Sequence, residues 1–595
     1  MAKRRRISDF SQDCNNTATT AKERGLKKRF FGKSHLLNLP QELVLRILHF
    51  LPVQSVLTVS RTSRKLHTLA SDPQLWKSKF WARFIYPRIQ RRAKLGLPEL
   101  FSHHDSWTKE SSLVSDWKKW LDDHTLIQEE RALATPSGLS RDSGIRLRMA
   151  IKPTIKTPTL DWKAKFRLRT NWQRGTPRIS NLRLLESLVQ INTERPQAGL
   201  KPKGPPIVGC FYEGYFFAAD LVHGVRVFNC GSSTTNNQTP LVERTSSLGN
   251  PTCIKVEESL VNDPSRRLYK TRGIDFVVGY HNGSAAILHF DQNSCQLSEK
   301  YTKRSFDDNG ATELVAFYFP YLAIVTNQNQ LKIISFHTSI KSIRNSDGAT
   351  RLEFPPPDRP YLPSKVVTSL TVDRSWFPTC LSFRRDPSSD EIVASAVFSV
   401  RSIIVGSSIT LQEFRLAPGF PGLLETYVVS PPLHDALDQA FFGRSAHMAF
   451  TTPTCVSYRH PFILTSHADN TLVLYNLYTD EDGKLEIQAG HQLWGHNTSV
   501  MAVEVGLRKA VSVDRRGEVR VWDLQGRYEK MHGRDKSVRV GGSGDPLFLN
   551  LDGKQGVQTE RCLVGFGEEG IVVLDKVKDL DVSTTAFKLA IYDFT

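Results

Sequence analysis

The chain is 595 residues long, 39% hydrophobic, and carries a formal net charge of +19. That length holds two or three domains with substantial cores. No run of about 18 apolar residues offers a membrane-spanning helix, and the opening MAKRRRIS lacks the apolar stretch of a secretory signal.

The charge is unevenly spread. Residues 1–34 net +7, residues 35–140 net +5 and residues 141–204 net +11, which leaves −4 for 205–595. Nucleic acid is therefore expected only through the basic tail. Its Lys3–Arg6 and Lys27–Arg29 clusters read as nuclear import signals or loose nucleic-acid contacts, on a segment too polar to fold. The basic side chains of 141–204 pair with acids or lay their stems over apolar surface. Eight cysteines, at 14, 210, 230, 253, 295, 380, 455 and 562, show no C-x-x-C spacing. They read as reduced, intracellular thiols and not as a disulfide framework or zinc site.

After the tail, residues 35–80 predict a small helical module. Pro40 suits the first turn of a helix, and Leu43, Ile47, Leu48 and Leu51 recur at helical spacing until Pro52 stops it. Val56, Leu57 and Val59 mark a second helix, and Leu66, Leu69 and Ala70 a third. Asp72–Pro73 then breaks the chain before Leu75 and Trp76. Three helices in about 40 residues leave apolar surface uncovered, so a partner groove is expected to complete the core.

The order Leu39, Pro40, Glu42, Leu43, Ile47, Leu48, Leu51, Pro52, Ser63, Leu75 and Trp76 resembles the F-box pattern. One departure is Leu66, where the family often has Trp. The resemblance implies that these eleven residues dock on a Skp-type adaptor and, through it, a cullin-RING ubiquitin ligase.

Residues 81–160 read as a helical arm anchored by Trp81, Phe84, Trp107, Trp117 and Trp120, then a linker at 134–158. His103, His104 and Asp105 are adjacent and share no helix face, so no metal is expected there. A basic bridge, 161–204, follows. Its Trp162, Phe166, Arg169, Asn171, Trp172 and Gly175 resemble a segment that precedes the propeller in F-box proteins with WD repeats. The resemblance implies an aromatic hinge locking the arm against the first blade.

From 205 to 595 the texture is β-rich. Seven candidate hairpins span 215–229, 275–291, 321–336, 391–414, 461–477, 509–524 and 561–575, each an apolar strand, a polar turn and an alternating strand. Radial closure hides their edges. A seven-bladed β-propeller is expected, with loops near 231–270, 340–375 and 416–450; a two-sheet sandwich is the alternative. Gly495–His496 followed by Trp522 and Asp523 is similar to a WD repeat. The resemblance places His496, Ser512 and Trp522 in its buried hydrogen-bond network. Arg516 stands where the family has Asp, and Asp514 comes two residues early, so that network is expected to be incomplete. The 461–477 hairpin keeps Asp469 but has Tyr475 for Trp.

By the same resemblance, Arg515 and Arg516 face the propeller rim, where paired guanidinium forks suit a phosphorylated segment; read on their own, they are two solvated turn arginines. A broad phosphate-binding face would need Arg508, Lys509, Arg527, Lys530, Arg534, Lys536 and Arg539 to gather beside them. No P-loop, GxGxxG, HExxH or GxSxG is present, and 541–545 is a turn. Neither catalysis nor a cofactor is expected.

The sequence thus predicts a multidomain chain, an all-α F-box and helical arm followed by an all-β propeller. The expected role is the substrate receptor of a Skp–cullin–F-box ubiquitin ligase, in the nucleus, the cytoplasm or both. The alternative is a non-proteolytic scaffold associated with chromatin or nucleic acid.

Overall fold

The structure, a computed structural model, describes residues 36, 39–87, 161–187 and most of 207–595; the segments 232–238, 260–272, 305–309, 338–359, 372–375, 387–390, 403–405, 418–421, 432–451, 480–484, 489, 525–536, 542–556 and 580–583 lie outside that set. The expectations for the basic tail, for 88–160 and for Arg527, Lys530, Arg534 and Lys536 therefore fall outside the described residues. Two compact units divide the chain between Ala82 and Arg83.

The first unit has one helix more than the three expected. They are α1 (Gln41–Phe50), α2 (Val53–Ser60), α3 (Arg64–Ala70) and α4 (Pro73–Phe80), followed by a π-turn at Trp81–Ile85. Proline precedes α1 and α2, where a missing N–H costs nothing. Ser63 caps α3 by accepting the Leu66 N–H at 3.2 Å. Asp72 caps α4 by accepting from Gln74 N at 2.7 Å, with Pro73 in the first turn. The extra helix supplies the missing core, since Leu75, Trp76 and Phe80 are buried with Val44, Leu48, Val56 and Leu66. Trp76 Nε1 donates to Ala70 O at 2.7 Å. Lys79 Nζ donates to His49 O and Leu51 O at 3.2 and 2.7 Å, closing carbonyls that the end of α1 leaves open.

In the second unit, helix α5 (Trp162–Arg174) leads into strand β1 (Arg178–Ser187) and then the ring. Blade one is β2 (Ile207–Tyr212), β3 (Tyr215–Asp220), β4 (Gly224–Asn229) and β5 (Val242–Arg244). Blade two is β6 (Pro251–Val256), β7 (Ile274–Tyr280), β8 (Ala285–Asp291) and β9 (Gln296–Lys303). Blade three is β10 (Thr312–Tyr318), β11 (Tyr321–Thr326), β12 (Gln330–Phe336) and β13 (Pro363–Thr371). Blade four is β14 (Trp376–Arg385), β15 (Ile392–Ser402), β16 (Gly406–Leu416) and β17 (Leu423–Val429).

Blade five is β18 (Cys455–Arg459), β19 (Phe462–Ser466) and β20 (Leu472–Thr479), with β21 (Leu485–Ile487) and β22 (His491–Leu493) both paired to β20. Blade six is β23 (Val500–Val505), β24 (Lys509–Asp514), β25 (Val519–Asp523) and β26 (Ser537–Val540). The last blade is β27 (Val557–Phe566), β28 (Gly570–Asp579) and β29 (Thr584–Asp593), with β1 as its outer strand. That shared blade closes the ring, and it puts propeller structure at 178, earlier than the expected start at 205. Seven apolar clusters, one between each pair of neighbouring blades, form a continuous core.

Each blade is an antiparallel meander, so all turns between second and third strands emerge on one face of the ring. All turns between first and second strands emerge on the other. Six predicted hairpins are the second and third strands of their blades, and 561–575 is the first and second of the last. The stretches expected as loops also hold strands β5, β6, β13 and β17. Those that are outer strands lack the two buried faces that make a strand legible; β17 is exposed along most of its length.

Candidate functional site

The eleven F-box residues separate into two roles. Leu48, Leu75 and Trp76 lie in the module's own core, and Ser63 is spent on its cap. Leu43 and Ile47 point outward at 47% and 42% exposure, and Pro40, Glu42 and Pro52 are exposed beside half-buried Leu39 and Leu51. Phe50, at 76% exposure, and Leu57 belong to this apolar surface, although the motif does not single them out. Helical spacing gives the signal: residues 43, 47 and 50 share a face turned about 100° round the helix from 44 and 48. His49 Nδ1 lies 2.8 Å from Ser78 Oγ, and burial, then Lys79, lowers its pKa, favouring the neutral ring.

In the bridge, Trp162, Phe166 and Trp172 are buried. Asp161 caps α5 through Lys163 N and Ala164 N at 3.0 and 3.1 Å. Gly175 ends α5 in the left-handed region at φ 65°, where a Cβ would collide with Arg539 O. Trp172 lies between two partners. Its ring stacks on Phe594 at 4.0 Å and 12°, and Lys509 Nζ stands 3.5 Å from the ring centroid. Trp172 Nε1 donates to Glu568 O and Asn171 Nδ2 to Phe594 O, both at 2.8 Å. Gly541 N donates to Gly175 O at 2.9 Å. The anchor therefore grips blade six and the closing blade, and not the first blade expected from the resemblance. The reason is chain geometry: the next element, β1, is the outer strand of the closing blade.

In the WD-like unit, Trp522 Nε1 donates to Ser512 Oγ at 2.8 Å, and Ser512 Oγ is 2.6 Å from His496 Nε2. Asp514 stands near the vacant fourth position, but its Oδ2 is 3.7 Å from His496 Nδ1, longer than a hydrogen bond. Its carboxylate instead organises the turn, accepting from Thr498 Oγ1, Arg516 N and Glu518 N at 2.7, 2.9 and 2.8 Å. Burial opposes its charge, but His496, Thr498 and Glu518 N–H outweigh that and hold the carboxyl below its ordinary range. His496, Asp514 and Glu518 offer atoms within 4.8 Å of one another. Arg520 brings positive charge to that corner, its Nη2 2.6 Å from Glu518 Oε1. Asp523 is exposed at the end of β25.

Arg515 and Arg516 are both exposed in the turn that follows Asp514. Arg508 and Lys509 do not join them: they begin β24 at the opposite face, and Lys509 is on Trp172. Arg539 lies along β26, its Nε 3.9 Å from Glu518 Oε1.

Charge also gathers at the inner strands. Lys255 Nζ is 2.8 Å from Glu258 Oε1 and donates to Leu381 O, while Phe383 N donates to Glu258 Oε2. These bonds tie blade two to blade four from within. Glu504 on β23 is pushed up to about 7 by burial, against the pull of Lys255 and Arg459. Cys210, Cys253, Cys380 and Cys455 sit on inner strands β2, β6, β14 and β18, all unbridged. Blades converge there and leave room for small side chains. Burial pushes Cys253 up to about 12 and Cys455 up to about 11.

A family model described as F-box-like matches residues 36–81, and one described as the F-box protein pof12 β-propeller matches 198–595. No curated protein matches the sequence. Among solved structures, the chain is similar to the Myceliophteria thermophila Cps50 (Swd1) β-propeller domain at 8% identity and a TM-score of 0.34, over 66% of this chain and 98% of that one.

Proposed function

The chain belongs to the F-box protein pof12 β-propeller family, and from that premise we propose that it is a substrate receptor of a Skp–cullin–F-box ubiquitin ligase. The carrying observation is the outward apolar surface of Leu43, Ile47, Phe50 and Leu57 on an otherwise complete F-box module. A helix face that a small domain leaves apolar suits a groove on an adaptor. In this reading the module joins the ligase, and the propeller holds the protein substrate near the ubiquitin-loaded partner. The chain's contribution to rate is then local concentration and orientation, with no chemistry of its own.

Arg515 and Arg516 belong to the substrate-facing side of the ring, where they would hold an acidic or phosphorylated segment. In this reading the complex works in the nucleus, the cytoplasm or both, with the Lys3–Arg6 and Lys27–Arg29 clusters as candidate import signals. Affinity purification of the intact chain beside a Leu39→Ala, Pro40→Ala variant tests the reading. Adaptor and cullin should accompany the intact chain and be lost with the variant; absence of both from the intact chain would overturn it. The +7 charge of residues 1–34 favours a second reading, a nucleic-acid-associated scaffold. That reading requires salt-sensitive nucleic-acid binding that disappears when the tail is removed.

A further inference from the structure

The turn joining β3 to β4 differs in chemistry from the four other described turns at the same position in their blades. Those turns, at 281–284, 327–329, 467–471 and 515–518, are built mainly of Asn, Gln, His, Asp, Arg and Gly. This one carries Leu221 and Val222, exposed at 65% and 62%. A single exposed Leu is ordinary. Two adjacent branched aliphatic side chains on a turn tip are less so, and this tip is fixed from below.

Asp220 Oδ1 accepts Val222 N at 2.9 Å and His223 N at 2.7 Å. Asp220 Oδ2 pairs with Arg226 Nη2 at 2.6 Å, and both side chains are 96% buried. Arg226 Nη1 reaches Leu184 O on β1 at 3.0 Å, so the knuckle is pinned to the strand that closes the ring. Gly224, at φ 72°, completes the turn where a Cβ would strike Arg244 O. A buried ion pair is a costly means of holding a loop of no consequence. Here it fixes the backbone that carries two apolar side chains into water, which lowers the ordering cost of binding through them.

We infer that Leu221 and Val222 form a preorganised apolar prong that enters an apolar groove on the folded protein substrate. The inference rests on the receptor reading and names the surface that receptor uses. Position supports it, because the prong shares its face of the ring with Arg515 and Arg516. Composition supports a protein occupant over a lipid surface. The described turns of that face carry Asn282, Asn327, Gln328, Asn329 and Asn470, amides that hydrogen-bond to protein backbone and polar side chains, and 515–518 alone among them carries Arg, whereas a headgroup-binding face would be ringed with Lys and Arg.

The test uses the full chain. The Leu39→Ala, Pro40→Ala variant, which retains substrate without passing it on, identifies bound proteins. A reconstituted ligase with the intact chain then shows which of them receive ubiquitin. Leu221→Ser with Val222→Ser should lower transfer to that substrate at least tenfold, while adaptor recovery and thermal unfolding stay unchanged. Leu221→Ile with Val222→Ile should restore it. A photoreactive side chain at position 222 should cross-link to an apolar groove of the substrate. Unchanged transfer by the serine variant, or cross-links only to lipid or to a second copy of this chain, overturns the prong and leaves the receptor reading standing. If no protein receives ubiquitin through the intact chain, both fall together.

Discussion

Trp172→Ala should open the ring at its seam. The indole is 3% exposed, stacked on Phe594, faced by Lys509 Nζ and bonded to Glu568 O. Truncating a buried Trp costs about 3–5 kcal/mol through lost burial and the cavity left behind. The stacked pair adds about 0.5–1.5 kcal/mol beyond area. Removing the ring also strands Lys509, whose charge then has one partner fewer in a poorly hydrated site. Since these effects overlap, about 4 kcal/mol is the expected loss, a large share of the 5–15 kcal/mol that typically separates folded from unfolded states.

The loss should be local before it is global, because, among the described residues of the ring, Trp172 packs on blade six and on the closing blade that holds the β1–β29 seam. Native-state hydrogen exchange on the full chain reads this directly. Amides of Leu589, Ala590 and Ile591 on β29 should lose protection first. Those of Ala323 and Ile324 on β11, across the ring, should change less, and those of α1 not at all. A uniform loss across all blades, or a total cost below about 1 kcal/mol, would refute the seam argument.

Three further outcomes follow from the same geometry. Lys509 is lowered to about 7 by burial first and by Arg169 next, with Asp523 and Glu568 opposing and Arg508 reinforcing. Its folded form therefore holds fewer protons than the unfolded chain between about 7 and 10.5. Stability should climb with pH across that window, and Lys509→Met should flatten the climb; parallel pH profiles for the two proteins would show that Trp172 holds the amine fully charged. Glu504 has the opposite sign. Its folded pKa is raised from 4.5 to about 7, so stability should fall as pH rises between those values and level off above. Glu504→Gln should abolish that fall in urea titrations at pH 5 and 8. Gly175→Ala should cost at least about 2 kcal/mol, since the left-handed conformation and the collision with Arg539 O add together; a smaller change in the urea midpoint would mean that the end of α5 can shift.

Legibility in the sequence followed burial. The seven hairpins could be read because most are middle strands with neighbours on both faces, as in β19, where all five residues are buried. Outer strands such as β17 have water on much of their surface, and their residues no longer alternate. Strand β1 was hidden for another reason. Its partner, β29, is about 400 residues away, and Arg178 and Arg183 make it look like part of a charged bridge. The F-box motif located the module but could not say which residues face inward. Trp76 and Leu75 match the pattern as well as Leu43 does, yet in the fold the first two are buried, with Trp76 bonded to Ala70 O, and Leu43 is exposed. Four cysteines dispersed over 246 positions of sequence gather on inner strands, which no spacing rule reveals.

The closing blade makes assembly a matter of synthesis order. On the ribosome, β27 to β29 are made after the other described strands of the ring, while β1, which must lie along β29, emerges about 400 residues earlier. Until residue 593 leaves the exit tunnel, six blades can form but the circle has an unpaired edge at each end. The F-box module, complete by residue 87, is by then long folded. On the receptor reading proposed above, a nascent or prematurely terminated chain would then be able to join the adaptor before its substrate surface exists. On the same reading, a stop codon ahead of β27 should act as a dominant loss, occupying the adaptor without delivering a substrate.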